Sequence, residues 1–321
     1  MPIPRRALLA AAAAAPAIVN AQGEWKPSRP VTLLVPFGAG SGTDAISRIL
    51  ANLLEGEWGQ RVVVDNRAGA NGSIAAVANA RAASDGHTLM MTTNTPHAAN
   101  PTLMRHLDYD PIADCTPIMR AGNYIFAFVI GESVPATDLA GFLALARARP
   151  GQLSYASGNG TGIMAGATLA RLAGVDLLHV PYRSTPPAMT DVIGGRVSGM
   201  VVDLPAAGPH MRAGKLRALG QTTRLRSRLL PEVPSLHEAG VPGFDIASWA
   251  GVIAPPRLPP EIAAGLNATI RRVWDRPDTA ARLADLGFEP GSSTPQEFGS
   301  FIAREIATWR ELARAAGIEP E

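Results

Sequence analysis

The segment Val31-Thr32-Leu33-Leu34-Val35-Pro36-Phe37-Gly38-Ala39-Gly40-Ser41-Gly42-Thr43-Asp44 decides how the chain is read. Val31 to Pro36 is a short apolar run with strand character, and Phe37 to Asp44 is a glycine-rich turn. Beyond it Ile46, Ile49, Leu50, Leu53 and Leu54 recur at helical spacing. The unit is strand, glycine turn, helix. Arg61 to Val64 predicts a second strand, followed by a loop with Asn66, Gly69, Asn71 and Gly72, and Ser73 is placed to cap a helix through Ala83. Asp85-Gly86 then turns the chain into a strand over Thr88 to Thr92. Strands alternating with helices imply a mainly parallel sheet covered on both faces.

A second cycle starts with a strand over Tyr124 to Ile130, a helix from Asp138 to Arg147 and a strand over Leu153 to Ala156. Ser157-Gly158-Asn159-Gly160-Thr161-Gly162 opens another apolar helix, and Val197 to Val202 and Leu216 to Gln221 add strands. Trp249 to Ala254 is again strand-like, Pro255 to Pro260 is a stiff loop, and helices over Ile262 to Trp274 and Phe298 to Ala315 follow. The half-resemblance of the two glycine turns predicts two similar α/β lobes rather than a repeat array.

The 321 residues, 46% hydrophobic and 17% charged, fit two domains with substantial cores. The single cysteine, Cys115, can close no intrachain disulfide and supply no thiolate cluster. Of 29 basic residues against 27 acidic, the excess is Arg5 and Arg6, so the rest of the chain is neutral. That balance argues against a nucleic-acid partner. Arg5 and Arg6 precede an apolar run from Ala7 to Val19, broken only by Pro16, and then Ala21. Residues 1–21 therefore read as a secretory signal, because the run falls short of the roughly 20 residues that span a bilayer. Val19-Asn20-Ala21 suits a signal peptidase, which puts the mature start at Gln22. The general secretory and twin-arginine routes both fit. The mature protein is expected outside the cytoplasm.

Where a strand enters a helix, successive glycines let N–H groups point into a concavity that the helix dipole makes anion-friendly. Phe37, Gly38, Ala39, Gly40, Ser41, Gly42, Thr43 and Asp44 are thus candidates for holding an anion, with Ser41 and Thr43 adding hydroxyls and Asp44 also suited to the first helical turn. No lysine follows the last glycine, so a phosphate-binding P-loop is not indicated, and G-x-G-x-G is not the dinucleotide spacing. That spacing also occurs in adenosylmethionine-dependent methyltransferases, the enzyme alternative. Ser157, Gly158, Asn159, Gly160 and Thr161 repeat the device in the other lobe. Asn94 and Thr95 follow a strand where α/β sheets present ligand contacts. Asp203 ends another strand, where it can face the cleft or cap a helix ahead of Pro205. No catalytic triad, metal-binding motif or cofactor motif is predicted; His97 and His179 read as polar residues at strand ends.

With these residues assembled, the chain resembles the receptor family of tripartite tricarboxylate transporters, the Bug-type solute-binding proteins. The resemblance runs through Arg29-Pro30-Val31, Val35-Pro36-Phe37, Thr43-Asp44, Val64-Asp65-Asn66-Arg67, Asp85-Gly86, Asn100-Pro101 and Tyr109-Asp110-Pro111. It continues through Thr116-Pro117-Ile118, His179-Val180-Pro181-Tyr182, Gly214-Lys215-Leu216-Arg217-Ala218 and Glu238-Ala239-Gly240-Val241-Pro242-Gly243. The resemblance implies a two-lobed periplasmic binding protein, type II-like, each lobe a mainly parallel sheet flanked by helices, joined by two crossing strands. The crossings fall near Gly122 and Ile246, giving lobe 1 as 22–122 with 247–321 and lobe 2 as 123–246. It also implies a carboxylate held by the first glycine loop, often through water, and by the loop Ser157 to Thr161.

Three departures bear on the ligand. Ser41 and Ser184 stand where the family has glycine, and Ile163 and Ala167 stand where a helix of the family carries His and Glu. The second lobe's wall is therefore expected to be more apolar, favouring a mono- or dicarboxylate with an apolar or aromatic body. The expectation is a monomeric receptor without enzymatic activity or cofactor, delivering a small organic acid to the membrane components of a tripartite transporter. A ligand sensor feeding a signalling system and a secreted α/β enzyme are the alternatives.

Overall fold

The strand–turn–helix reading of Val31 to Asp44 holds in the computed structural model of the chain, which describes residues 25–320. The signal expected at 1–21 lies outside the described residues. The first lobe opens with β1 (Val31–Val35), α1 (Gly42–Trp58), β2 (Val62–Asn66), α2 (Ser73–Ala80), β3 (Thr88–Thr93), α3 (Asn100–Leu103) and β4 (Thr116–Tyr124). The second holds β5 (Phe126–Gly131), α4 (Leu139–Ala148), β6 (Ser154–Ser157), α5 (Gly160–Ala173), β7 (Leu178–Pro181), α6 (Thr185–Ile193), β8 (Gly199–Asp203), α7 (Leu204–Arg212) and β9 (Leu216–Gln221). The chain returns to the first lobe as β10 (Ser248–Ala254), α8 (Pro260–Trp274), α9 (Pro277–Asp285), β11 (Phe288–Pro290) and α10 (Pro295–Ala316).

One sheet has the order β11-β4-β10-β3-β1-β2 and the other β7-β6-β8-β5-β9. The two-lobed α/β architecture is as expected, but the sheets are mixed rather than mainly parallel. In the first, β1 runs parallel to β2 and β3, while β10 runs against both β3 and β4. In the second, β6 is parallel to β7 and β8, and β5 opposes β8 and β9. The reason is the connectivity. Strands wound through helical crossovers within a lobe share a direction, whereas β5 and β10, which enter each lobe from the other, run against them, and β11, reached from β10 through α8 and α9, keeps the direction of β10.

The strand expected over Tyr124 to Ile130 is broken at Ile125. Tyr124 still pairs with Ser248 and Phe288 in the first sheet, and Phe126 already pairs with Asp203 in the second. The ladder of the first sheet thus runs two residues past Gly122. On the return, the Ile246 N–H donates to the Thr222 carbonyl beyond β9 and Ser248 pairs with Tyr124, so the two crossings lie side by side. Alternation along β5 divides the second lobe's interior: Phe126, Phe128 and Ile130 join the cluster with α4 and α5, while Ala127 and Val129 face Ala188 and Val192 of α6. In the first lobe Ile46, Leu50 and Leu54 of α1 bury against the sheet in one cluster with Ile270, Val273 and Trp274 of α8. Ser73 is the first residue of α2 rather than its cap, and its Oγ accepts instead from the Asn100 side chain at 3.1 Å.

Candidate ligand-binding cleft

Four helices begin at the same cleft, each directly after a strand or a strand's loop. Ser41 caps α1 by accepting from the Asp44 N–H at 3.2 Å, and Asn159 caps α5 by accepting from the Gly162 N–H at 2.9 Å. Asp203 caps α7 by accepting from the Ala206 N–H at 3.0 Å. Short polar side chains at strand–helix corners are the favoured partners of unsatisfied first-turn N–H groups. Ser184 precedes α6 but makes no cap; its Oγ accepts from the Gly38 N–H, across the lobes, at 2.9 Å. The cleft therefore faces the positive ends of helix dipoles from both lobes.

Of the residues expected at the site, Phe37, Ser41, Thr43, Asn94, Thr95, Asn159, Thr161 and Asp203 line one cavity. The remaining space there is about 10 Å³, room for about one water. Gly38, Ala39, Gly40, Gly42, Asp44, Ser157, Gly158 and Gly160 lie outside that lining. Thr93, Tyr124, Phe126, Thr185 and Ser248 complete it and were not foreseen. Tyr124, Phe126 and Ser248 flank the crossings, so their signal is the hinge itself. For Thr185, the Ser184-Thr185-Pro186-Pro187 run is a helix-start signal.

The lobes are tied by small polar groups. Asn94 Nδ2 donates to Thr161 Oγ1 at 2.8 Å, Thr161 Oγ1 to Ser248 Oγ at 3.4 Å, and Ser248 Oγ to Asn94 Oδ1 at 2.6 Å. This closed ring joins the first lobe, the second lobe and the returning strand. Beside it the Gly160 N–H donates to Thr95 Oγ1 at 3.2 Å, and the Tyr124 hydroxyl donates to Thr43 Oγ1 at 3.0 Å. The N–H groups of the first glycine loop have protein partners: Gly38 donates to Ser184, Gly40 to Asp44 Oδ2 at 3.0 Å, and Ser41 to the Gly38 carbonyl at 3.1 Å. The open backbone cradle expected there is occupied by the loop's own side chains and by Ser184.

The two acids of the site differ in environment. Burial pushes Asp44 up, but hydrogen bonds from Arg48, the Gly40 N–H and Asn66 outweigh it and hold the carboxyl below its ordinary value. Asp203 has no such cation, and burial pushes it up to about 6 against the Ala206 N–H. Burial likewise raises the Tyr124 phenol. No arginine, lysine or histidine lines the cavity among the described residues. His97 is buried, its pKa lowered by burial to about 3, and shares a 2.6 Å hydrogen bond with Thr92. His179 pairs with Ser157 Oγ at 2.7 Å and stacks on Tyr155. Neither histidine reaches the cavity. Ile163 and Ala167 are also outside it, Ile163 packing on the main core, so the apolar wall comes from Phe37, Tyr124 and Phe126 instead.

Two α/β lobes, closed on each other at helix N-termini and joined by two adjacent strands, define a two-lobed solute-binding receptor. Residues 46–318 match the tripartite tricarboxylate transporter family receptor, TctC. The chain belongs to that family, and its role is solute binding rather than enzymatic catalysis. It is 35% identical to Protein BugT of Bordetella pertussis, over 91% of this chain and 90% of BugT. Rpa4515 of R. palustris, solved with adipate, superposes with a TM-score of 0.90 at 37% identity, covering 92% of this chain and 99% of that one. MatC from Rhodopseudomonas palustris, solved with bound malate, gives a TM-score of 0.84 at 32% identity, covering 89% and 99%.

Proposed function

We propose that this receptor captures a mono- or dicarboxylate in the interlobe cleft and, once closed, delivers it to the membrane components of a tripartite transporter. The observation that carries the reading is the convergence of α1, α5, α6 and α7 on one cavity, which attracts an anion through helix ends without a cation. The lining residues act as the binding site, with Ser41, Thr43, Asn159, Thr161 and Thr185 facing the charged end. Phe37, Tyr124 and Phe126 suit an apolar or aromatic body. Adipate and malate, held by the two solved relatives, set the chemical class. Lobe 1 (22–122 with 247–321) and lobe 2 (123–246) swing about the paired crossings, and the closed form offers the membrane partner one continuous surface. The protein acts as a monomer in the periplasm after loss of residues 1–21, by either export route.

A thermal-shift screen of the purified protein against adipate, malate, citrate, branched and aromatic acids and adenosylmethionine tests this. A ligand that binds only the folded state raises the melting point, by the equivalent of about 2.7 kcal/mol at a hundredfold excess over Kd. The expected result is a rise with one class of carboxylate. No rise with any acid overturns the reading, and tight citrate binding without binding of apolar acids removes the apolar-body refinement.

A further inference from the structure

We infer that capture of a carboxylate in this cleft takes up one proton from solvent, held at Asp203. The inference rests on the receptor reading above and adds a coupling to it. Asp203 is 4% exposed and lines the cavity at the start of α7. From α1, across the lobe boundary, Gly42 faces it so closely that a Cβ there would lie 1.8 Å from Asp203 Oδ1 and 3.2 Å from Oδ2. From β4 the Tyr124 phenol faces it, and from α7 the Ala206 N–H. The next acid on α1, Asp44, is bound to Arg48 and Asn66. No cation lining the cavity compensates Asp203 among the described residues.

A ligand carboxylate placed in the same closed cavity shares these helix ends with a second carboxylate. Two like charges in a confined, water-poor site do not both stay ionised; one takes a proton, and the pair titrates as a unit. Oδ1 accepts from Ala206, which leaves Oδ2 to carry the proton and to donate to a ligand oxygen. Burial already brings the free acid to about 6. Above that pH the free receptor is ionised at Asp203 and the complex is not, so affinity falls as pH rises, about tenfold per pH unit. Below it the proton is already bound and the affinity levels off.

Calorimetry with adipate, in buffers of different ionisation heat and over about pH 6 to 8, above the carboxyl range of the ligand itself, counts the protons. The expected result is uptake approaching one proton per adipate at the upper end, with Kd rising about tenfold per pH unit. Asp203→Asn keeps an acceptor for the Ala206 N–H and is expected to bind with no uptake and a flat pH profile; a thermal melt checks its fold. The wild-type proton count stands without the variant. Adipate binding with no uptake overturns this inference and leaves the receptor reading intact. Uptake that persists in Asp203→Asn overturns it by placing the proton elsewhere. Aspartate binding far more tightly than adipate without uptake also overturns it, since Asp203 then pairs with an ammonium. No carboxylate binding at any pH overturns both readings.

Discussion

Gly42 faces the other lobe with no room for a side chain. It is the first residue of α1, and the space a methyl group would occupy is filled by the Asp203 carboxylate of the other lobe. Alanine in place of a helical glycine favours the helix by up to about 1 kcal/mol, so Gly42→Ala is expected to leave the lobe folded while blocking closure. The prediction is an adipate affinity weakened by about tenfold or more, with a melting temperature within a few degrees of wild type. Gly160→Ala should do less. Its Cβ would meet Thr95 Cγ2 and Leu103 Cδ1 at 3.1 Å, and these are side-chain ends that can shift. Calorimetry and melting curves on both variants decide the point, and unchanged affinity in both would remove these loops from the site. At this scale much of the cavity lining was legible. Ser41, Asn159 and Asp203 sit at corners whose cap chemistry is local, and Asp203 turned out to do both things its position allowed: it caps a helix and faces the cleft. What the sequence did not show is that Asp44 and Ser184 take the N–H groups that the loop's glycines leave available.

Among the elements, α10 shows how a lobe-1 helix can serve both lobes. Thr294 and Glu297 form a reciprocal cap, Thr294 Oγ1 accepting from the Glu297 N–H at 3.2 Å and Glu297 Oε2 accepting from the Thr294 N–H at 2.8 Å. The helix buries Phe298, Ile302 and Trp309, and it lies against α5 of the second lobe and the turn Thr95–Ala99 of the first. Thr294→Ala removes the cap and is expected to cost about 1 kcal/mol of stability in urea unfolding. Long helices and buried strands could be read from periodicity because their pattern is local. The change of sheet at Ile125 could not, since Tyr124 to Ile130 is equally apolar on both sides of it. β11 has three residues and β7 four, too short for a pattern. Strand direction was also beyond local reading, because it depends on which lobe the chain is coming from.

For the whole molecule, closure depends on groups far apart in sequence: Asn94, Thr161 and Ser248 meet only when both lobes and the returning strand are in place. Asn94→Ala breaks two bonds of that ring. It is expected to enlarge the ligand-free protein in small-angle scattering and to leave adipate able to compact it, with weaker affinity. Equal dimensions for variant and wild type would show that the ring does not hold the lobes together.

The hydrogen bonding of the closed cleft has a thermochemical consequence. Ser41, Thr43, Thr95, Asn159, Thr161 and Asp203 all have protein partners in the closed cleft. An entering carboxylate meets groups that already have partners, and it exchanges cross-lobe bonds such as Asn94–Thr161 and its own bonds to water for others of similar strength, so hydrogen bonding contributes little net. The driving force shifts to water released from the ligand body as it packs against Phe37, Tyr124 and Phe126, which marks the complex by a negative heat-capacity change.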